Sequence, residues 1–479
     1  MVYWLCGLLL LAPNCLPGES GGAFPQSLAK IFPLFVALLF VAHPIQTESV
    51  TYLWQRNTSL AAMFYLLSMA LYMKSALTRD GPGRRSTCFL AGALLFGFAA
   101  TITKQIAVTL PVAIVLMEYF FISPSIEKLK SKIIRLSLFI PVLLVIPAMT
   151  ALGLGNELTD MAVRQDNVLG PFEYLSTQFN VIVMYIKLLF IPVGLNLDYD
   201  YPAALSFSDW FLSFTILIAL VGLSFWLFKR DRIASFGILF FFLSICVESS
   251  FFPLEDIVFE HRTYLPSVGF FMAVTAILFG LIGRIQGAHA LKVAAFALVV
   301  WVSALAVMTM ERNAIWSRDV LLWRDVIQKS PKKIRGYLNL GYAYMAEKNY
   351  KEAEVWFGKS LEMDNHSTDA LYNLSEIYDK RGELEKAINT MHKAVKAKPG
   401  SNSLKYALGN LYFRNGIYSK AAKYYRMGLA LETEFNEDAL HGFGSALAMN
   451  DRTDDAIKVY KLLVRQRPGN RLYSANLEA

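Results

Sequence analysis

Apolar residues follow two different rhythms along this chain. Up to about residue 309 they come in nearly unbroken runs, at roughly 3–13, 30–42, 60–73, 88–103, 106–122, 136–152, 211–228, 233–249, 266–283 and 290–309. Several of these lie near the lower length limit for a helix that crosses a bilayer, and the pattern predicts eight or nine membrane-length helices. Beyond residue 310 the runs stop and apolar and small residues recur at a fixed interval of 34 positions. Leu340-Gly341, Leu374-Ser375 and Leu408-Gly409 are each followed three positions later by Tyr344, Tyr378 and Tyr412, and nine further on by Ala353, Ala387 and Ala421.

A 34-residue period with small residues where paired helices cross and aromatics filling the space between neighbours is the tetratricopeptide pattern. A fourth unit follows after a one-residue insertion, with Gly444, Ala456, Tyr460 and Pro468, and Trp323 with Pro331 reads as the second helix of a preceding half unit. The predicted fold class is therefore all-α. A polytopic transmembrane helical domain covers 1–310, a linker and half-repeat helix 311–332, and about four repeats 333–479, forming an α-solenoid. Stacked helix pairs curve into a superhelix whose concave side takes extended segments of other proteins.

Composition agrees with two solvents. Hydrophobic residues make up 55% of the 479 and charged ones only 18%, and the mean hydropathy is +0.39, too apolar on average for a soluble protein although the tail is polar. The net charge of +8 does not predict nucleic-acid binding, because the basic residues of the first part sit in short clusters between apolar runs. These are Lys74, Arg79, Arg84 and Arg85; Lys128, Lys130, Lys132 and Arg135; Lys229, Arg230 and Arg232; and Arg284 with Lys292. With all four facing the cytoplasm, the outer face collects 43–59, the turn at Lys104, 153–210, 248–265 and the repeats. The run 179–193 has both flanks outside on this count and reads as a re-entrant or interfacial helix, with Lys187 in its middle. Cys6, Cys15, Cys88 and Cys246 lie in or beside apolar runs without CxxC spacing, so neither a disulfide framework nor a metal site is predicted.

The outer loops concentrate ionisable residues, which are costly at a membrane boundary without work or partners. His43-Pro44-Ile45-Gln46-Thr47-Glu48 precedes Arg56. Two readings stay open: a functional element, or a cap at His43 with a Glu48–Arg56 ion pair. The 248–267 loop carries Glu248, Glu255, Asp256, Glu260, His261 and Arg262; Asp198 and Asp200 follow the 179–193 run, and Lys104 adds an outward charge between two helices.

Together, HPIQTESV with its downstream Arg56, the QFNVIVMYIKLLFIPVGLNLDYDYP segment, EHRTYLPSVGF and the terminal repeats resemble the GT-C membrane glycosyltransferases with tetratricopeptide tails, the group of the transmembrane and tetratricopeptide-containing O-mannosyltransferases. The resemblance covers about residues 30–479. It implies a GT-C-like fold that takes a sugar, a mannose-like hexose, from a polyprenyl-phosphate donor and transfers it to a protein Ser or Thr on the outer face. It also implies a multi-pass membrane protein, its repeats periplasmic in a bacterium or lumenal in an endoplasmic reticulum. His43, Glu48, Arg56, Lys104, His261 and Arg262 are the candidates for donor and lipid-phosphate binding; Asp198, Asp200, Glu248, Glu255, Asp256 and Glu260 are further outer-loop candidates. Such chemistry needs cations for the leaving phosphate and a base for the acceptor hydroxyl. The expected partners are membrane lipid, the lipid-linked sugar and an acceptor protein held by the repeats; no bound cofactor is identified and a divalent metal stays open.

The family's catalytic acid lies in a first outer loop after an initial helix. Residues 1–13 resemble the tail of the second helix and no Asp or Glu precedes Glu19, so that loop is expected to be absent from this stretch and no residue is assigned as catalytic. Two other classes stay open: a non-catalytic membrane scaffold whose repeats recruit envelope proteins, and a transporter of lipid-linked sugar, which would place charges at mid-membrane.

Overall fold

The computed structural model describes residues 1–15, 26–78, 83–152, 169–250, 253–254, 256–283, 289–432 and 435–478. Glu19, Arg79, Glu255, Arg284 and the 153–168 part of the long outer loop fall outside the described residues. The chain divides into two compact units, Met1–Arg318 and Asp319–Ala479, and among the described residues all regular structure is helical.

Among the described residues of the first unit, six helices are long and apolar enough to cross a membrane: Leu53–Leu77, Arg84–Thr103, Gln105–Ile122, Phe207–Leu227, Glu260–Ile282 and Leu291–Trp316. A seventh span arises if Leu28–Ala42 and Pro44–Thr51, bent by 57° at His43, count as one. Pro44 causes that bend: it has no N–H for the helical ladder and holds His43 extended, at φ −77° and ψ 127°. The number is below the eight or nine expected because several apolar runs fold into shorter pieces. The first helix is only Val2–Leu10, and Ile133–Met149 and Arg232–Ile245 are apolar but too short. Most of the 179–193 run, up to Phe190, is the second part of a continuous helix, Pro171–Phe190, which starts earlier than the hydropathy implied because Glu173 and Gln178 interrupt the apolar signal. Lys187 stands exposed in its last turn, where the helix dipole favours a cation.

Glu260–Ile282 is the most enclosed span, 72% buried, whereas Phe207–Leu227 and Leu291–Trp316 are only 17% buried and turn apolar surface outward. The enclosed helix packs backbone to backbone on Arg232–Ile245. A Cβ on Gly237 would lie 2.5 Å from the carbonyl oxygen of Gly269, and one on Gly269 would lie 2.5 Å from that of Gly237. The helical turn Glu260–Thr263, at the start of this enclosed helix, carries part of the candidate chemistry.

The second unit opens with Asp319–Lys329 and continues as four helix pairs: Ile334–Ala346 with Tyr350–Met363, Thr368–Lys380 with Leu384–Ala397, Asn402–Arg414 with Tyr418–Leu429, and Glu437–Ala448 with Thr453–Gln466. Arg471–Glu478 follows. The repeating Leu340, Leu374, Leu408, Ala353, Ala387 and Ala421 are buried, as their spacing predicts. Each pair turns through one left-handed residue: Lys348, Gly382, Gly416 and Asp451, with φ between 58° and 75°. Backbone N–H groups of Asn349, Glu383, Ile417 and Arg452 close each turn onto Tyr344, Tyr378, Tyr412 and Leu447. This is the Schellman geometry that suits glycine, yet two of the four positions are not glycine.

Candidate functional site

The site begins at the break after His43. The short helix Thr47–Thr51 points Glu48 into the first unit, where it meets the second motif 213 positions away. One carboxylate oxygen accepts the backbone N–H of His261 at 3.0 Å; the other lies 2.6 Å from His261 Nδ1. A carboxylate there makes Nδ1 the donor and fixes both tautomer and ring orientation. Glu48 therefore does not pair with Arg56, which stands exposed at the start of its helix. Sequence proximity favoured the Arg56 pair; the fold supplies a nearer partner.

The other charges converge in the same way. Lys104 follows the helix Arg84–Thr103 in an extended conformation, and its Nζ lies 3.0 Å from Glu248 and donates to Thr58 Oγ1 at 2.8 Å. Its side chain is only 11% exposed, since a lysine beside a buried carboxylate is better paired than left alone. Arg262 donates to the backbone carbonyls of Asp256 at 2.7 Å and Ile257 at 3.0 Å, and to the Tyr174 hydroxyl at 3.3 Å. Glu260 accepts from the Tyr199 hydroxyl at 2.7 Å and the Asn196 N–H at 2.5 Å, with the Arg312 guanidinium 3.9 Å from its second oxygen.

Further side chains brace these groups. The Tyr185 hydroxyl donates to the carbonyl of Phe259 at 2.8 Å and accepts its N–H at 2.9 Å. Gln178 donates to the Ile257 carbonyl at 3.1 Å and accepts from Ser249 at 2.9 Å, and Gln46 donates to Ser267 at 2.9 Å. Burial works to raise the Glu248 carboxyl, but Lys104 and then Arg262 outweigh it and hold it below the usual carboxylate range. Burial and the Glu260 carboxylate push the Tyr199 phenol well above its ordinary value, so it remains a donor.

Of the sequence-predicted residues, Glu48, Lys104, Glu248, Glu260, His261 and Arg262 come together, and Asp256 contributes its carbonyl. Asp198 is buried nearby in the chain and its carbonyl accepts from the Asn196 side chain at 2.8 Å; Asp200 is exposed. His43 is buried, accepts the Ile45 N–H at 3.2 Å, and packs against Phe271 with ring centroids 5.5 Å apart, a capping role. Arg312, Tyr199, Tyr174, Tyr185 and Gln178 were missed. Arg312 had one visible signal, a Glu311-Arg312 pair inside the otherwise apolar Leu291–Trp316 run. Among the described residues no group of three or more His, Cys, Asp or Glu is arranged to hold a metal ion. Lys104, Arg262 and Arg312, beside three buried carboxylates and an oriented imidazole, offer donors to an incoming phosphate and groups able to accept or relay a proton.

Residues 344–411 and 406–471 each match a family model described as Tetratricopeptide repeat. The chain is 24% identical over 418 residues to the human Protein O-mannosyl-transferase TMTC2, covering 70% of this chain and 49% of the relative. It is 24% identical over 459 residues to Protein O-mannosyl-transferase Tmtc3 of Drosophila melanogaster, covering 83% and 49%. The repeats alone cannot supply coverage of that extent, so the likeness to O-mannosyltransferases reaches into the apolar unit. The chain spans about half the length of the curated relatives it matches. Among solved structures, that of YrrB, titled a TPR protein with an unusual peptide-binding site, is similar at 22% identity and a TM-score of 0.30, covering 32% of this chain and 79% of that one.

Proposed function

We propose that this chain acts in glycosyl transfer of the GT-C type, in which a mannose-like hexose leaves a polyprenyl-phosphate donor for a Ser or Thr hydroxyl of a protein on the outer face of a membrane. The repeat array binds the acceptor. The observation that carries this reading is the meeting of the two family-like motifs, HPIQTE and EHRTYLPS, through the Glu48–His261 contacts at 2.6 and 3.0 Å. A polyprenyl donor keeps its tail in lipid and its phosphate at the boundary, where leaving-group charge must be neutralised. Lys104 and Arg262 meet that charge in this reading, which their contacts with Glu248 and with backbone carbonyls support by fixing their positions. Glu48 orients His261, which then positions the donor or the acceptor hydroxyl.

A second reading is a non-catalytic scaffold, and one observation favours it: Lys104, His261 and Arg262 already have partners at 3.3 Å or closer within the chain. Transfer of radiolabelled mannose from a short-chain polyprenyl-phosphate donor to a Ser/Thr-rich protein, by the chain in nanodiscs beside Lys104→Ala, separates the two. Transfer that falls at least about tenfold in the variant supports the enzyme. Absence of donor binding and of transfer, with acceptor protein still retained by the repeats, would establish the scaffold.

A further inference from the structure

Between the helices Thr368–Lys380 and Asn402–Arg414 of the second unit runs an open groove of about 670 Å³, with Asp369, Tyr372 and Glu376 on one wall and Tyr406, Asn410 and Arg414 on the other. Asp369 and Glu376 are seven residues apart, which on a helix places them on one face about 10.5 Å from each other. The two acids differ in what they hold. Arg414 reaches across to Asp379 at 2.7 Å and to Glu376 at 3.6 Å, so one end of the row already carries a guanidinium from the chain itself. At the other end, Asn373 donates to the backbone carbonyl of Asp369; among the described residues the Asp369 carboxylate has no hydrogen bond or ion pair. Tyr342 and Tyr372, 38% and 37% exposed, offer aromatic faces on the same row of first helices, and such faces attract the stem and charge of a cation.

We propose that this groove binds an extended segment of a partner protein through a Lys or Arg side chain seated on Asp369, repeating with a partner's cation what Arg414 does within the chain. The inference rests on the reading of the array as a protein-binding surface and adds the chemistry of the segment it takes. The groove's acids outnumber its bases, so a segment carrying Asp or Glu at the same position is rejected.

The test is fluorescence anisotropy with the full chain in nanodiscs and two short labelled Pro/Ser/Ala peptides that differ only in a central Arg or Gln. The Arg peptide is expected to bind roughly fivefold tighter, as one partly exposed charge pair gives, and the preference shrinks in high salt. Asp369→Asn abolishes the preference without weakening the Gln peptide, whereas Asp454→Asn, which also removes a first-turn carboxylate from a helix of the array, preserves it. Equal binding of both peptides to the unaltered chain, or a preference that survives Asp369→Asn, overturns the inference and leaves the protein-binding reading standing. Binding of neither peptide overturns both.

Discussion

The two units handle charge in opposite ways. In the first, acids and bases from distant parts of the sequence meet inside an apolar body: Glu48 with His261 across 213 positions, Lys104 with Glu248, Glu260 with Arg312. In the second, many ion pairs are local and solvated, such as Lys386 with Glu383 and Arg452 with Asp455 at i,i+3. Where water is excluded, an unpaired charge costs several kcal/mol, so partners must be found at any sequence distance. Where water is at hand, pairs are weak and nearly interchangeable. Convergence of charge against that cost is the reason the proposed chemistry is assigned to the first unit, and repetition the reason the second is read as a surface.

This contrast sets an order of expected effects. Glu48→Ala leaves two buried donors without an acceptor, the N–H and the imidazole of His261, and should lower the stability of the first unit by about 2–4 kcal/mol, read as an early unfolding transition by intrinsic fluorescence. A loss indistinguishable from that of an exposed pair would erase the distinction between the units.

Glu248→Gln leaves Lys104 a neutral acceptor and should cost about 1.5–3 kcal/mol. Its pH dependence follows from the sign of the shift. The Glu248 carboxyl is held below its ordinary value of 4.5, so its contribution is complete above that value and is lost as pH falls through the lower folded value. The difference between variant and parent should therefore be the same at neutral and mildly acidic pH and shrink only below about 4.5.

In the second unit the limits are set by packing. A Cβ on Gly341 would lie 2.7 Å from the ring of the fully buried Phe357, and Gly341→Ala should destabilise the array by about 1–3 kcal/mol, seen by helical circular dichroism on heating. Lys348→Gly should act oppositely and least. It relieves a left-handed lysine at φ 58° and should stabilise by about 1 kcal/mol; a destabilised variant would mean that the Lys348 side chain carries a contact worth more than the strain.

How much of this could be read from the sequence divides along the same line. The repeats were legible because each side chain that fixes a pair, Leu340 or Ala353 for instance, recurs at the same interval and packs against near neighbours in the chain. Even the one-residue insertion before the fourth unit reappears as the step from Gly416 to Asp451, one longer than the interval between earlier turns. The apolar runs announced helices but not their lengths: the 136–152 run divides near Pro141, where Ile133–Ser137 ends before Ile140–Ala151 begins. In the site, the motifs supplied most of the charged residues and none of their pairings. Arg56 was the nearest cation to Glu48 along the chain, and only tertiary structure could replace it with His261. The charge of Arg312 in an apolar run marks it as unusual without naming its partner, and Tyr199 carries no such mark; both partnerships are defined by Glu260.

The most direct measurement is photolabelling of the chain in nanodiscs with a diazirine-bearing polyprenyl-phosphate mannose, followed by mapping of the modified peptides. The account predicts saturable labelling on the segments that carry Glu48, Lys104 and His261–Arg262, competed by unlabelled donor and weakened in Lys104→Ala. Labelling confined to the outward-facing helices Phe207–Leu227 and Leu291–Trp316, unaffected by competitor, would contradict it.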